Sequence, residues 1–388
     1  MTGKSVPDWD QRSEAVLANQ IAAYDDLRRR CPVACSEYHN WSLFRHEDVM
    51  RALMDHETFS NVVSQRVSVP NGMDPPEHTQ FRAIIDPFFS PEAMAAFEPV
   101  CRKIAAELVD RLPPRGEVEF VRLVAEDFAT LVQCAFMGWP ERVHEPLRRW
   151  TRHNSEATLS GDRERMARVA HEFDGGIRRL LQERRDAGSA APDDATTRLM
   201  RAQVNGRPLE DAEIVSIIRN FTVGELATIS ASVGIIVEYL ARRPELQDRL
   251  RGEPAILPAA IDEILRIHPP LIANRRITTK PVDIRERHID AGERLTLVWA
   301  SANRDEAVFG DPDEFRIDRD PSLNLLYGAG IHVCPGAPLA RLELKLMIEE
   351  ILAATRTFSL VEGSDPVRDV YPSSGFRKLP LQVERPAT

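Results

Sequence analysis

One cysteine of this chain stands in a setting suited to metal chemistry. Residues 327–341 read YGAGIHVCPGAPLAR, with Gly328, Gly330 and Gly336 around Cys334 and Pro338 shortly after it. Glycines allow backbone conformations closed to other residues and let main-chain N–H groups approach a sulfur. Pro338 fits the first turn of a helix starting immediately after the cysteine, so Cys334 falls at the positive end of the helix dipole. N–H donors and the dipole favour a thiolate and moderate its electron donation, which is how a protein tunes a sulfur-ligated metal. The plain alternative is a buried free cysteine beside a glycine turn. The glycine spacing and His332, two residues before the cysteine, weigh against it.

Charged residues at one-turn spacing come next. Glu263 and Arg266 in EILR share a helix face, where a buried carboxylate between two guanidiniums can satisfy its charge. Taken alone, such a pair is usually a surface ion pair of little consequence. His78 and Arg82 in EHTQFR are also one turn apart. Cys31 and Cys35 have CxxxC spacing with no second ligand pair, which does not make a zinc site. Cys101 and Cys134 fall on apolar helical faces and read as core.

The elements that must position these residues are mostly helices. Apolar residues recur at three-and-four spacing over 14–30, 94–112, 123–137, 163–185, 211–243, 255–268 and 339–355. Strand signals are short and late: 282–289 and 294–298 around a turn at Asp290, Ala291 and Gly292, and 379–383. The fold class is therefore mainly α with minor β (α+β). Loops are read at 186–196 (DAGSAAPDDAT) and 63–76.

A chain of 388 residues can bury a large cofactor. A net charge of −10 argues against general nucleic-acid binding, which needs clustered Lys and Arg. Five cysteines do not suggest a disulfide framework, so a reducing compartment fits. The N-terminal stretch has no apolar core, and the most apolar segment, 214–240, is interrupted by Arg219, Glu225 and Glu238. These features are read as a cytoplasmic protein with no membrane span.

The cysteine loop resembles the haem-binding loop of the cytochrome P-450 superfamily of haem-thiolate monooxygenases, and bacterial soluble members in particular. The resemblance implies that Cys334 is the axial thiolate of haem b (iron protoporphyrin IX) and that Gly336 and Tyr327 belong to the cofactor-binding loop. Tyr327 stands where the family usually has Phe. Its ring can still pack near the sulfur, but its hydroxyl needs a partner. Glu263 and Arg266 resemble the family's ExxR pair, and Arg319 in FRIDRD, fifteen residues before Cys334, matches the third member that locks the loop. His78, Arg82, Arg276 (in NRRITT) and His332 match positions that bind the haem propionates, which carry two negative charges into a partly dry site. The implied fold is a helix-rich lobe with small antiparallel sheets around a buried haem, one haem domain over residues 1–388.

Resemblance also lays the long segment 211–243 over the distal face of the haem, where the sequence departs from the family pattern. The usual run is Ala/Gly, Gly, any residue, acid, Thr; here Thr222 to Thr228 read TVGELAT. Alignment on Thr228 keeps the alcohol and puts Gly224 at the first small position. It leaves Glu225 in place of the second glycine and Ala227 in place of the acid. The 35-residue step from Thr228 to Glu263 supports this registration. Thr228 then donates to oxygen at the haem, and Glu225, one turn before it, is read as the substitute proton relay.

The activity implied is insertion of one oxygen atom of dioxygen into an organic molecule. Electrons would come from a ferredoxin or flavodoxin with an NAD(P)H-dependent reductase. Two alternatives stay open: a peroxygenase using hydrogen peroxide, which the missing acid beside Thr228 keeps in view, and a non-catalytic haem-thiolate sensor or binding protein. By family position the substrate pocket draws on Val62, Val63, Val67, Phe221, Gly224, Leu271, Ile272 and the stretch Ser373 to Phe376, which reads as an apolar cavity for a medium-sized molecule.

Overall fold

The computed structural model describes residues 7–64, 66–369 and 374–386. The helices that frame the site are α1 (His46–Met54), α2 (Glu77–Ile85), α3 (Pro91–Val109), α4 (Glu126–Met137), α5 (Arg163–Ala187), α6 (Asp211–Ala241), α7 (Leu257–Ile267) and α8 (Ala337–Ala354). Their apolar stripes merge into one large core, and two smaller clusters lie under the sheet and near the N-terminus.

The longest helix, α6, organises the rest. It begins at a capping box in which the Glu210 and Glu213 side chains each accept from the other's backbone N–H. Arg207 fixes Glu213 from outside with bonds of 2.9 and 2.6 Å. α6 is long and apolar enough to cross a membrane, yet 67% of its most apolar window is buried inside the molecule. It packs on α4, α5, α7 and α8. A helix apolar on nearly every side belongs at the centre of a large core, which is where this one lies.

Five strands make the main sheet: β1 (Val33–Ser36), β2 (Asn40–Leu43), β3 (Phe59–Ser60), β4 (Asn274–Thr278) and β5 (Arg294–Leu297), in the order β1-β2-β5-β4-β3. The β2–β5 pair is parallel and the others antiparallel, so the sheet is mixed rather than purely antiparallel. Register sets Arg276 opposite Leu295, which carries the arginine on a central strand to the cavity.

Several expected boundaries move. The helix read over 14–30 breaks at Asn19, whose side chain caps the second piece, Gln20–Arg30. Residues 282–289 are a hairpin in themselves, with Val282–Ile284 paired to Arg287–Ile289 across Arg285 at φ 54°. The strand at 294 therefore pairs with β4 and not with its neighbour in sequence. The loop read at 186–196 is shorter: α5 runs to Ala187, and a helix capped by Asp194 starts at Ala195. Helices at His46–Met54 and His144–Ser160 were not expected.

Candidate active site

The cysteine loop is held by its own backbone. Cys334 N–H donates to the Tyr327 carbonyl at 2.9 Å, and Val333 N–H to the Gly330 carbonyl at 3.1 Å. Gly328 and Gly330 take φ of +73° and +69°, conformations that L side chains rarely adopt. Gly330 also lies against α1, and a Cβ there would stand 2.3 Å from the Leu53 carbonyl oxygen. Gly336 differs: at φ −80° it needs no glycine for conformation, and it serves as the N-cap of α8. What it provides is proximity, since a Cβ there would touch Cys334 Sγ at 3.9 Å and the Phe89 ring at 3.8 Å. Burial pushes the Cys334 thiol up, while N–H groups of Gly336 and Ala337 at the start of α8 pull it down. Cys334 is exposed, and it lines the cavity described below.

Tyr327 Oη is buried without a hydrogen-bond partner, so the partner its hydroxyl calls for is not supplied by the described residues. Its ring lies under the Arg341 guanidinium at 4.5 Å, and burial holds the phenol protonated.

Glu263, Arg266 and Arg319 meet as a buried triad. Arg266 grips the Glu263 carboxylate with bonds of 2.7 and 2.9 Å, and Arg319 Nε adds a third at 3.0 Å. The Arg316 backbone N–H supplies a fourth at 3.1 Å. The remaining guanidinium N–H groups hold carbonyls of Asn303, Asp311, Pro312 and Glu314 at 2.8–3.1 Å, and that of Phe309. From there Asn303 passes the order on. Its Oδ1 accepts from Leu325 N–H at 2.8 Å, at the threshold of the cysteine loop. Asn303 was not foreseen, because one asparagine in a polar stretch carries no spacing signal.

A cavity of about 360 Å³ opens on Cys334. Arg276 and His332 line it. Arg276 is 2% exposed and, among the described residues, ion-pairs with no carboxylate and donates only to the carbonyl of Arg275 at 2.8 Å. Burial pushes its guanidinium down to about 10, with Asp74 pulling the other way. The His332 and His78 rings approach to 4.2 Å, and the buried Nε2 of each has no partner among the described residues. Burial, then the neighbouring His78, Arg276 and Arg82, pushes His332 down to about 3. Arg82 clamps the cysteine loop through the carbonyls of Ile331 and Val333, at 3.1 and 2.8 Å, and pairs with Asp86 at 2.6 Å. A buried cation and two orphaned imidazole nitrogens converging without an anion are unfavourable on their own, and fit a ligand that brings negative charge. Trp299, which sequence reading did not single out, also lines the cavity, and its buried Nε1–H has no partner among the described residues.

α6 contributes Phe221, Gly224, Glu225 and Thr228 to the same cavity. Thr228 Oγ1 donates to the Gly224 carbonyl at 2.5 Å. Val63 and Leu271 also line it. Four residues read as pocket wall do not. Val62 and Val67 are half-exposed on the loop surface. Ile272 is buried among Trp9, Tyr24, Phe44 and Val298, because its side chain points from the chain to the opposite side from Leu271. Phe376 packs against Gly234, two turns beyond Thr228 on α6. Ser373 lies outside the described residues. Cys101 and Cys134 are fully buried core residues.

Comparisons with known proteins agree with this geometry. The family model described as Cytochrome P-450 matches residues 151–384. The erythromycin C-12 hydroxylase of Saccharopolyspora erythraea is 32% identical over 356 residues, 87% of this chain and 88% of the relative. The cyclomarin C epoxidase of Salinispora arenicola is 31% identical over 351 residues, 86% of this chain and 87% of that one. Among solved structures, a mutant of EryK in complex with erythromycin B superposes with a TM-score of 0.87 at 28% identity, covering 96% of this chain and 98% of that one. A Bacillus megaterium enzyme in complex with testosterone gives 0.86 at 26% identity, covering 96% and 99%. The donor set fits a haem: a thiol under two backbone N–H groups for the iron, and Arg276, His78 and His332 for the carboxylates. With a haem-iron cofactor and the oxidoreductase chemistry that goes with it, the chain belongs to the bacterial cytochrome P-450 family of monooxygenases.

Proposed function

We propose that this chain is a cytoplasmic monooxygenase, a single haem domain over residues 1–388, that inserts one atom of dioxygen into a medium-sized, mostly apolar organic molecule. Its electrons come from a separate ferredoxin or flavodoxin served by an NAD(P)H-dependent reductase. The observation that carries this reading is that the Cys334 sulfur and the Gly224–Thr228 stretch of α6 line one cavity. Haem b bound through the thiolate supplies the activation of dioxygen and the transfer of oxygen to carbon.

Each residue then has a task. Cys334 holds the iron, with Gly336 close under the sulfur and Tyr327 opening the loop; Arg276, His78, His332 and Arg82 hold the propionates; Glu263, Arg266 and Arg319 fix the backbone that presents the cysteine. Thr228 spends its own hydrogen on the Gly224 carbonyl, so its lone pairs face the cavity as acceptors. A proton moving through Thr228 must therefore arrive from elsewhere, and Glu225 is the carboxyl on that wall. Phe89, Phe136, Phe221 and Leu271 supply an apolar surround, with Asn61, Asn220 and Asn274 to engage a polar group of the substrate. Relatives named for erythromycin and cyclomarin C are consistent with a substrate of that breadth.

A second reading, peroxygenase activity, is favoured by one observation: Ala227 occupies the place of the acid beside Thr228 and cannot deliver protons. One experiment separates the two. Compounds that shift the Soret band on titration are offered to the enzyme with surrogate redox partners or with hydrogen peroxide at low concentration. The monooxygenase reading expects substrate-dependent NAD(P)H consumption and oxygenated product only with the partners. Turnover with peroxide alone at comparable rate supports the second reading, and no substrate-dependent consumption in either arm contradicts both.

A further inference from the structure

The carboxyl groups of Glu225 on α6 and Glu343 on α8 meet where the two helices pack. Glu343 is 0% exposed and Glu225 9%. No donor from any described residue reaches Glu225 Oε1 or either carboxyl oxygen of Glu343. No arginine, lysine or histidine among the described residues acts on either group. The titratable groups within electrostatic reach are Cys101 on α3 and, from the cysteine loop, Cys334 and Tyr327, and none of these supplies positive charge. Two carboxylates in contact in such a place cannot both be ionised. A contact between carboxyl groups is a hydrogen bond only if one of them carries the proton, so the geometry itself requires a donor. Only Glu225 lines the cavity; Glu343 lies behind it, on the helix that packs against α3.

We propose that Glu343 stays protonated and donates its hydroxyl to Glu225, making Glu225 the acid that releases a proton beside Thr228 and Glu343 the positioning residue that holds the carboxylate left behind. This rests on the reading of Glu225 as the proton source of the cavity. In the step, the Glu225 O–H bond breaks and its proton passes to the Thr228 oxygen, which releases its own hydrogen from the Gly224 carbonyl into the cavity, or to a water beside it that hands on one of its own. The electron pair remains on Glu225, where the Glu343 hydroxyl meets it. A proton from solvent then restores the acid. Burial alone drives Glu225 far upward, and the bond from Glu343 brings it back to about 7. An acid that is half loaded near neutral pH is well matched to proton delivery there. Glu343 itself, raised by burial and by the charge of Glu225, keeps its proton through that range.

The test is infrared titration of the resting haem-loaded protein, with the protonated-carboxyl stretch as the readout. The parent should show two buried protonated carboxyls at about pH 6, one of which is lost by about pH 8 and one of which persists. Glu225→Gln should keep only the persistent band. Glu343→Gln, whose amide still donates, should keep only the titrating band and leave its midpoint near that of the parent. Glu343→Met, which fills the space without a donor, should move that midpoint up by about one unit or more. The pH profile of product formed per NAD(P)H consumed should move with it. An unmoved midpoint in Glu343→Met, or no persistent band in the parent, overturns the pairing. Bands that behave as stated, with coupling unaltered in Glu225→Gln, leave the pair standing and overturn the reading of Glu225 as proton source. An unchanged Soret band in each variant shows that the site has loaded and folded.

Discussion

Arg276 sits buried on β4 with one backbone carbonyl as its acceptor among the described residues, and His332, which lines the cavity with it, is faced in turn by His78 and Arg82. Without an anion this arrangement is unfavourable, and with the haem propionates it becomes a binding site. Arg276→Leu should therefore act in opposite directions on the two forms of the protein. The apoprotein should unfold at higher temperature. The loaded protein should lose haem faster, by roughly tenfold to a hundredfold, as removal of a charge-assisted hydrogen bond of about 1.5–3 kcal/mol implies. Thermal unfolding of both forms and haem transfer to an acceptor globin measure this, and equal destabilisation of both forms would contradict it. At this scale the sequence was legible where motifs impose spacing: Cys334, the Glu263–Arg266–Arg319 set and the four propionate candidates come together. It was illegible where only the fold creates proximity. Glu343 reads as one more polar position of an amphipathic helix, and nothing in LARLELKL announces that it faces Glu225.

Elements explain why the loop holds its shape. Gly330 combines a φ of +69° with a Cβ position 2.3 Å from the Leu53 carbonyl oxygen, so Gly330→Ala must displace either the loop or α1. Gly363 has nearly the same φ, +72°, with nothing within 4 Å, and is the matched control. Gly363→Ala should cost about 1 kcal/mol of backbone strain, whereas Gly330→Ala should cost several times that and slow haem uptake, measured by denaturant unfolding and by the rate of Soret recovery. Similar effects at both sites would mean that the contact with α1 is unimportant. Most long helices were readable because apolar spacing is set by burial on one face. The missed helix His144–Ser160 buries only Leu147, Trp150 and Ala157 among arginines and other polar residues, too few apolar positions to establish a period. The strand pairings were misread because the left-handed turn at Arg285 is made by a residue with no turn propensity of its own.

The whole molecule is a helix-rich body in which α6 runs through the core and residues 61–64 and 66–76 close one side of the cavity. That loop is tied down: Ser216 accepts from Val69 N–H at 2.8 Å and donates to the Val67 carbonyl at 3.1 Å, Asn220 donates to the Val69 carbonyl at 2.8 Å, and Asp174 on α5 pairs with both Arg66 and Arg219. Fold class and the course of the chain around the site were legible because they follow from periodicity and the order of motifs. The cavity wall was less so: Val62 and Ile272 turn away from the cavity that their chain neighbours Val63 and Leu271 line, and Phe376 lies against Gly234 instead, which sequence position alone does not resolve. Every role assigned above depends on the sulfur of Cys334 binding iron. The most direct measurement is the Soret spectrum of the reduced carbonyl adduct, parent against Cys334→His. The parent should show the strongly red-shifted band of a thiolate-ligated haem and the variant the unshifted band of an imidazole-ligated one. A parent spectrum indistinguishable from that of Cys334→His would contradict the account.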